Sequence, residues 1–164
     1  MQNIPSVDLR DFLSDDPKRK QKFVNEIGNA FEEIGFVALK GHFLDNQLVE
    51  ELYGEIRNFF ALPLETKHSY EIPGIGGQRG YVSFGKEHAK GRKEGDLKEF
   101  WHFGQYVEKD SKYASEYPDN VEVKELPRFN IVGKEAYQML EKTGVYVLRA
   151  LALHLGLNEF YFDE

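Results

Sequence analysis

The sequence predicts an α+β fold: a mainly helical chain with a few short strands. Three observations lead there. Apolar residues recur at helical spacing in three separate stretches, short apolar or aromatic runs lie between those stretches, and glycines and prolines mark the joints. The chain has 164 residues, the length of one domain, and 1–164 is read as a single region.

The elements follow in order. Ile4 to Leu9 reads as a short extended segment, with Pro5 disfavouring helix. Ser14-Asp15-Asp16-Pro17 is a helix start, because proline suits the first helical position behind an acidic cap. Phe23, Ile27, Phe31 and Ile34 then share one helical face, and Gly35 stops the helix. Phe36 to Leu39, between Gly35 and Gly41, is expected to be a buried strand. Asp45 is a cap for a second helix with Leu48, Leu52, Ile56 and Phe59 as its stripe, and Pro63 ends it or opens a further turn through Lys67.

Pro73 to Gly80 holds four glycines and reads as a loop, followed by a short strand over Tyr81 to Phe84. The mixed Lys, Glu and Gly of Gly85 to Lys98 predict a solvated, mobile loop. Glu99 to Val107 predicts an aromatic strand, with Phe100, His102 and Tyr106 on one face and Trp101, Phe103 and Val107 on the other. Glu108 to Pro127 is a long irregular connection. A long helix then begins near Pro127, with Phe129, Val132, Ala136, Met139, Thr143, Val147 and Ala150 inward and Gly156 as its C-terminal cap. The closing aromatics Phe160, Tyr161 and Phe162 need a surface to pack on, either the long helix or further protein.

A net charge of −7 argues against a nucleic-acid partner, since phosphate binding needs an excess of Lys and Arg. With no cysteine there is no disulfide, thiolate metal site or thiol nucleophile. Residues 1–10 show no basic-then-apolar leader, and no apolar run reaches the 18 or so residues that a membrane span needs. A cytoplasmic protein with no membrane partner is expected.

None of the five histidines begins a His-x-Asp or His-x-Glu, and no His-Glu-x-x-His occurs. Glu65–His68 and Glu99–His102 are Glu-x-x-His pairs. The first sits in a short turn and the second in a strand-like run, where such residues face opposite ways, so neither fits a helical di-iron site. The glycines of 74–80 lack the flanking strand, helix and spacing of a dinucleotide loop. Arg79 and Tyr81 stand out between that loop and the next strand: a guanidinium fork beside a phenol is suited to a carboxylate.

Six motifs in order carry a resemblance. They are I-P-S-V-D-L at 4–9, G-F-V-A-L-K-G-H at 35–42, F-F-A-L-P-L-E-T-K at 59–67, R-G-Y at 79–81, G-K-E-H-A-K at 85–90 and D-L-K-E-F-W-H-F-G at 96–104. Together they resemble the N-terminal region of the non-haem iron, 2-oxoglutarate-dependent oxygenases of the isopenicillin N synthase type, across essentially the whole chain.

That resemblance implies the front portion of a double-stranded β-helix (jelly-roll) oxygenase, with the catalytic barrel mostly absent from 1–164 and expected downstream. It implies Fe(II) and 2-oxoglutarate as cofactors of the full-length enzyme, neither bound by this chain, and a small organic molecule as substrate. It makes Arg79, Tyr81, Trp101 and Phe103 candidates for a wall of the substrate pocket, and predicts no catalytic or metal residue here. Self-association through a surface that the barrel would cover is a further expectation. Two other readings stay open: a non-catalytic binding or interaction module built from the same fold, and an iron oxidase of the family that does not use 2-oxoglutarate. The chain contains no Arg-x-Ser, the pair that in the family binds 2-oxoglutarate.

Overall fold

Pro17 opens the second helix as the sequence predicts, with the Asp16 carboxylate accepting from the Lys18 amide at 2.9 Å. The computed structural model describes residues 3–88, 91 and 95–163. Its elements are β1 (Ser6–Asp8), α1 (Leu9–Phe12), α2 (Pro17–Glu33), β2 (Ala38–Lys40), α3 (Asn46–Phe60), α4 (Leu64–His68), β3 (Gly80–Val82), β4 (Phe100–His102) and α5 (Pro127–His154). The chain divides into two compact units, one of Met1–Asp45 with Gln138–Glu164 and one of Asn46–Tyr137.

In the first unit β1 and β2 pair in parallel, Ser6 with Ala38 through Asp8 with Lys40. The expectation of a buried strand at 36–39 is corrected here. A two-stranded sheet covers only one of its faces, so Val37 and Leu39 turn to the core while Ala38 and Lys40 are exposed and Phe36 is 67% exposed. The apolar spacing of α2 buries Phe23 and Ile27 but leaves Phe31 exposed. Gly35, at φ 78°, takes the left-handed turn that ends α2, its amide bonded to the Ala30 carbonyl at 3.0 Å.

Gly28 of α2 is also fixed by packing, because a Cβ there would fall 2.2 Å from the His154 ring. The His154 Nε2 lies 3.0 Å from Glu32, which makes it a partnered boundary histidine. At the end of α5 the amides of Gly156 and Leu157 bond back to Leu153 and Ala152, and Gly156 has φ 73°, as its reading as a cap requires. The terminal segment is tied back by Arg149, which bonds Asp163 at 2.7 Å and covers the Phe160 ring at 4.9 Å. Phe160, Tyr161 and Phe162 nonetheless stay exposed.

In the second unit β3 and β4 are antiparallel, Tyr81 opposite Trp101. Both strands are shorter than the sequence predicts. Phe84 is exposed beyond the end of β3, and 103–107 carries no strand pairing. Asn120 explains the early end of β4: its side chain bonds the Gly104 amide at 2.8 Å and the Gly104 carbonyl at 3.0 Å, in place of a neighbouring strand. Asn130 grips both backbone groups of Val123 in the same way. The expected alternation holds over 100–103, with Trp101 and Phe103 packed on Phe129 and Phe100 against His102, but not beyond, since Tyr106 borders the same cavity as Phe103. The core joins Phe59, Tyr70, Tyr81, Val123 and Phe129. Of the predicted mobile loop over 85–98, residues 89, 90 and 92–94 lie outside the described residues. Gly85 bonds Asp96 at 3.0 Å, and Lys98 pairs with Glu87 at 2.9 Å.

Candidate functional site

The chemistry of the second unit gathers around one carboxylate. Glu99, just before β4, accepts from the Lys67 Nζ at 2.8 Å and from the Tyr81 hydroxyl at 2.5 Å, both at Oε2. Lys67 is buried at the end of α4 and also donates to the Phe60 carbonyl at 3.2 Å. Buried lysines are rare unless paired, and this one has its counter-ion. Burial works to raise the Glu99 carboxyl, but donation by Lys67 and Tyr81 outweighs it, so the group is held below its ordinary range. Burial pushes the Tyr81 phenol up, and its bond to Glu99 adds to the rise. The His68 ring lies 5.9 Å from that of Tyr81.

Three of the four residues expected in a substrate wall meet in one aromatic core. Tyr81 is 1% exposed, and Trp101 sits 4.7 Å from Phe59 and 5.9 Å from Phe103, ring to ring. Gly133 on α5 makes room for Phe103, since a Cβ there would meet its ring at 2.1 Å. Arg79 lies over Gly104, where a Cβ would fall 1.8 Å from the guanidinium carbon. It is 7% exposed, so its guanidinium is buried.

Among the described residues Arg79 has no ion pair, and its Nη1 donates to the Gln78 carbonyl at 2.7 Å. Buried side-chain polar atoms without a hydrogen-bond partner are, among the described residues, Arg79 Nε and Trp101 Nε1. Both belong to the predicted wall. Buried donors are paired as a rule, so these two stand out.

A cleft of about 340 Å³ opens along the glycine-rich loop, lined in part by Glu71, Gly76, Gly77, Tyr81 and Lys86. Arg79, Trp101 and Phe103 do not line it, and Phe103 borders a separate cavity of about 240 Å³ with Tyr106 and Lys134. Glu71 accepts the Ser83 amide at 2.8 Å and faces Lys86 at 3.6 Å. Burial opposes its charge, yet these donors hold its carboxyl below the ordinary value.

The Glu-x-x-His pairs do not converge: Glu99 is committed to Lys67, and His102 Nδ1 meets the Gly77 carbonyl at 2.6 Å. Among the described residues no three or more His, Asp or Glu side chains are grouped to hold a metal ion. No described helix is long and apolar enough to cross a membrane.

Sequence reasoning passed over Lys67 and Glu99 as site residues, although they stand in the motifs 59–67 and 96–104. The third partner, Tyr81, closes the motif 79–81. Asn120 and Asn130 carried no signal, because a side chain bonding distant backbone has no local pattern.

Residues 4–125 match the family model described as non-haem dioxygenase in morphine synthesis, N-terminal. Proline hydroxylase buaE of Petromyces alliaceus is 27% identical over 164 aligned positions, covering 97% of this chain and 50% of its own. A 2OG-Fe(II) oxygenase family protein of Caulobacter crescentus shares the fold with a TM-score of 0.85 at 35% identity, over 99% of this chain and 52% of the other. A full-length Neurospora crassa protein, solved with α-ketoglutarate, aligns with a TM-score of 0.77 at 26% identity, over 98% of this chain and 46% of the other. The chain spans about half the length of the curated relatives it matches. It belongs to the N-terminal family of the non-haem dioxygenases, within the 2-oxoglutarate-Fe(II) oxygenases.

Proposed function

We propose that this chain is the N-terminal part of an Fe(II)- and 2-oxoglutarate-dependent oxygenase acting on a small organic substrate. In this reading the iron ligands and the jelly-roll barrel lie outside residues 1–164, and the chain alone is inactive. The observation that carries it is the family match over residues 4–125, which covers most of the chain. The relatives' own lengths, about twice the aligned part, support a second half.

Within the whole enzyme the β3–β4 hairpin supplies one wall of the substrate pocket. Arg79 and Trp101 bring the unpaired Nε and Nε1 donors, suited to a carboxylate or carbonyl oxygen. Phe103 adds apolar surface. Tyr81, whose hydroxyl is committed to Glu99, stiffens the wall from behind.

Leu140, Leu148, Leu155, Phe160 and Tyr161 of the first unit are each exposed, and in this reading the remaining protein covers them. In the isolated chain their exposure favours self-association, so light scattering should show mass rising with concentration; a monomer throughout would remove this part of the proposal.

Calorimetric titration of the chain with Fe(II) tests the reading, with sequencing of the gene past codon 164 beside it. The expected results are no stoichiometric iron binding and a downstream His-x-Asp, distal His and Arg-x-Ser. One equivalent of tightly bound iron, or a stop at codon 165, would overturn it.

A further inference from the structure

The Lys67–Glu99–Tyr81 cluster ties several elements of the second unit together. One carboxylate oxygen receives Lys67 from α4 and Tyr81 from β3 while its own backbone leads into β4. Lys67 Nζ also bonds the last residue of α3, at the Phe60 carbonyl. Four elements are thus joined through one titratable atom group. The shared sheet is short, three residues a strand, so its ladder adds little independent hold.

We propose that Glu99 is an acid-sensitive latch: charged, it clamps the β3–β4 hairpin to α4; protonated, it lets the hairpin open locally while α3 and α5 remain folded. The groups that face it are Lys67 and His68 from α4 and Tyr81 from β3, with Glu71 acting on Tyr81 from beyond α4. The Lys98 ammonium faces away, paired with Glu87 at 2.9 Å and Asp96 at 3.1 Å. A protonated Glu99 loses the attraction of the Lys67 ammonium, which is then buried without a counter-ion, a costly arrangement. Opening relieves it by giving Lys67 to water. The proposal concerns this chain's own fold and stands whether or not the oxygenase reading does.

The direction follows from linkage. The carboxyl titrates below its ordinary value of 4.5 in the folded hairpin and at that value in the opened one. The clamp is therefore complete above pH 4.5 and is lost as pH falls through the lower, folded value. Across that window one proton is taken up on opening, so the opening constant rises by up to ~10-fold per pH unit.

Hydrogen exchange by NMR on the 164-residue chain between pH 6 and pH 3 (about that span), corrected for intrinsic rates, measures this. The probes are the Tyr81 amide, bonded to the Tyr70 carbonyl at 3.1 Å, and the amides of Val132 and Ala136 on α5 as references. The latch predicts that Tyr81 protection falls with pH below 4.5 while the references hold.

Glu71 also clamps this hairpin and its carboxyl is likewise held below the ordinary value, so Glu71→Gln serves as the control: most of the fall persists there, whereas in Glu99→Gln only the share owed to Glu71 remains. If Glu99→Gln does not fold, Tyr81→Phe decides, since loss of one donor raises the folded value towards 4.5 and narrows the window from below. The proposal is overturned if Tyr81 and the α5 amides lose protection together, if Glu99→Gln keeps the wild-type fall, or if Tyr81→Phe leaves the window unmoved.

Discussion

Lys67 Nζ lies 2.8 Å from Glu99 Oε2, across 32 positions of sequence, with the lysine side chain 8% exposed and the glutamate 19%. A buried pair of this kind is worth little against an apolar substitute but costs much when halved. Lys67→Met should lower unfolding stability by about 3 kcal/mol, because Glu99 is left buried with the Tyr81 hydroxyl alone. Lys67→Met with Glu99→Gln should lose less than the single change. Denaturant unfolding of the two singles and the double supplies the cycle, and additive losses would contradict it.

Gly28 and His154 meet without space for a methyl group. Gly28→Ala gains helix propensity, worth about 1 kcal/mol at an unhindered site. Here the imidazole must leave its place and its contact with Glu32, so a net loss of roughly 1–3 kcal/mol is expected. Thermal unfolding checks the sign, and a rise in Tm would contradict the packing.

Asn120 replaces a strand partner for Gly104. Asn120→Ala should cost about 1–3 kcal/mol by leaving an amide and a carbonyl unpaired. Asn120→Asp should fail to rescue it, because a carboxylate cannot donate to the Gly104 carbonyl. Exchange of the Gly104 amide reports the loss directly.

The Asp8 carboxyl is held at about 2 by its hydrogen bonds to Arg10, against an ordinary 3.8. The group is more acidic folded than unfolded, so its contribution is complete above 3.8 and is lost as pH falls through about 2. Carboxyl carbon shifts followed by NMR should place the midpoint there, and Arg10→Ala should return it towards 3.8.

The helices were legible because their signals are local. Pro17 behind Asp16, the step-of-four apolar residues of α2 and α3, and Gly156 after α5 each act within a few residues, and apart from the exposed Phe31 each stands where it was expected. The strands were less so. Whether 36–39 is buried depends on what lies on its two faces, and β4 ends where Asn120 arrives from 16 residues away. The candidate wall was half legible. Periodicity placed Trp101 and Phe103 on one face, but the burial of Arg79 rests on Gly104, and the role of Tyr81 rests on Glu99. Those are long-range pairings that a pattern along the chain does not express.

In the proposed reading these residues are one part of an oxygenase whose iron ligands come from elsewhere in the polypeptide. Consumption of 2-oxoglutarate with Fe(II) and oxygen, measured for residues 1–164 and for the product of the gene extended through its downstream codons, tests it most directly. Turnover is expected from the extended protein and none from 1–164. Turnover by 1–164 alone, or none by an extended protein that binds Fe(II), would contradict it.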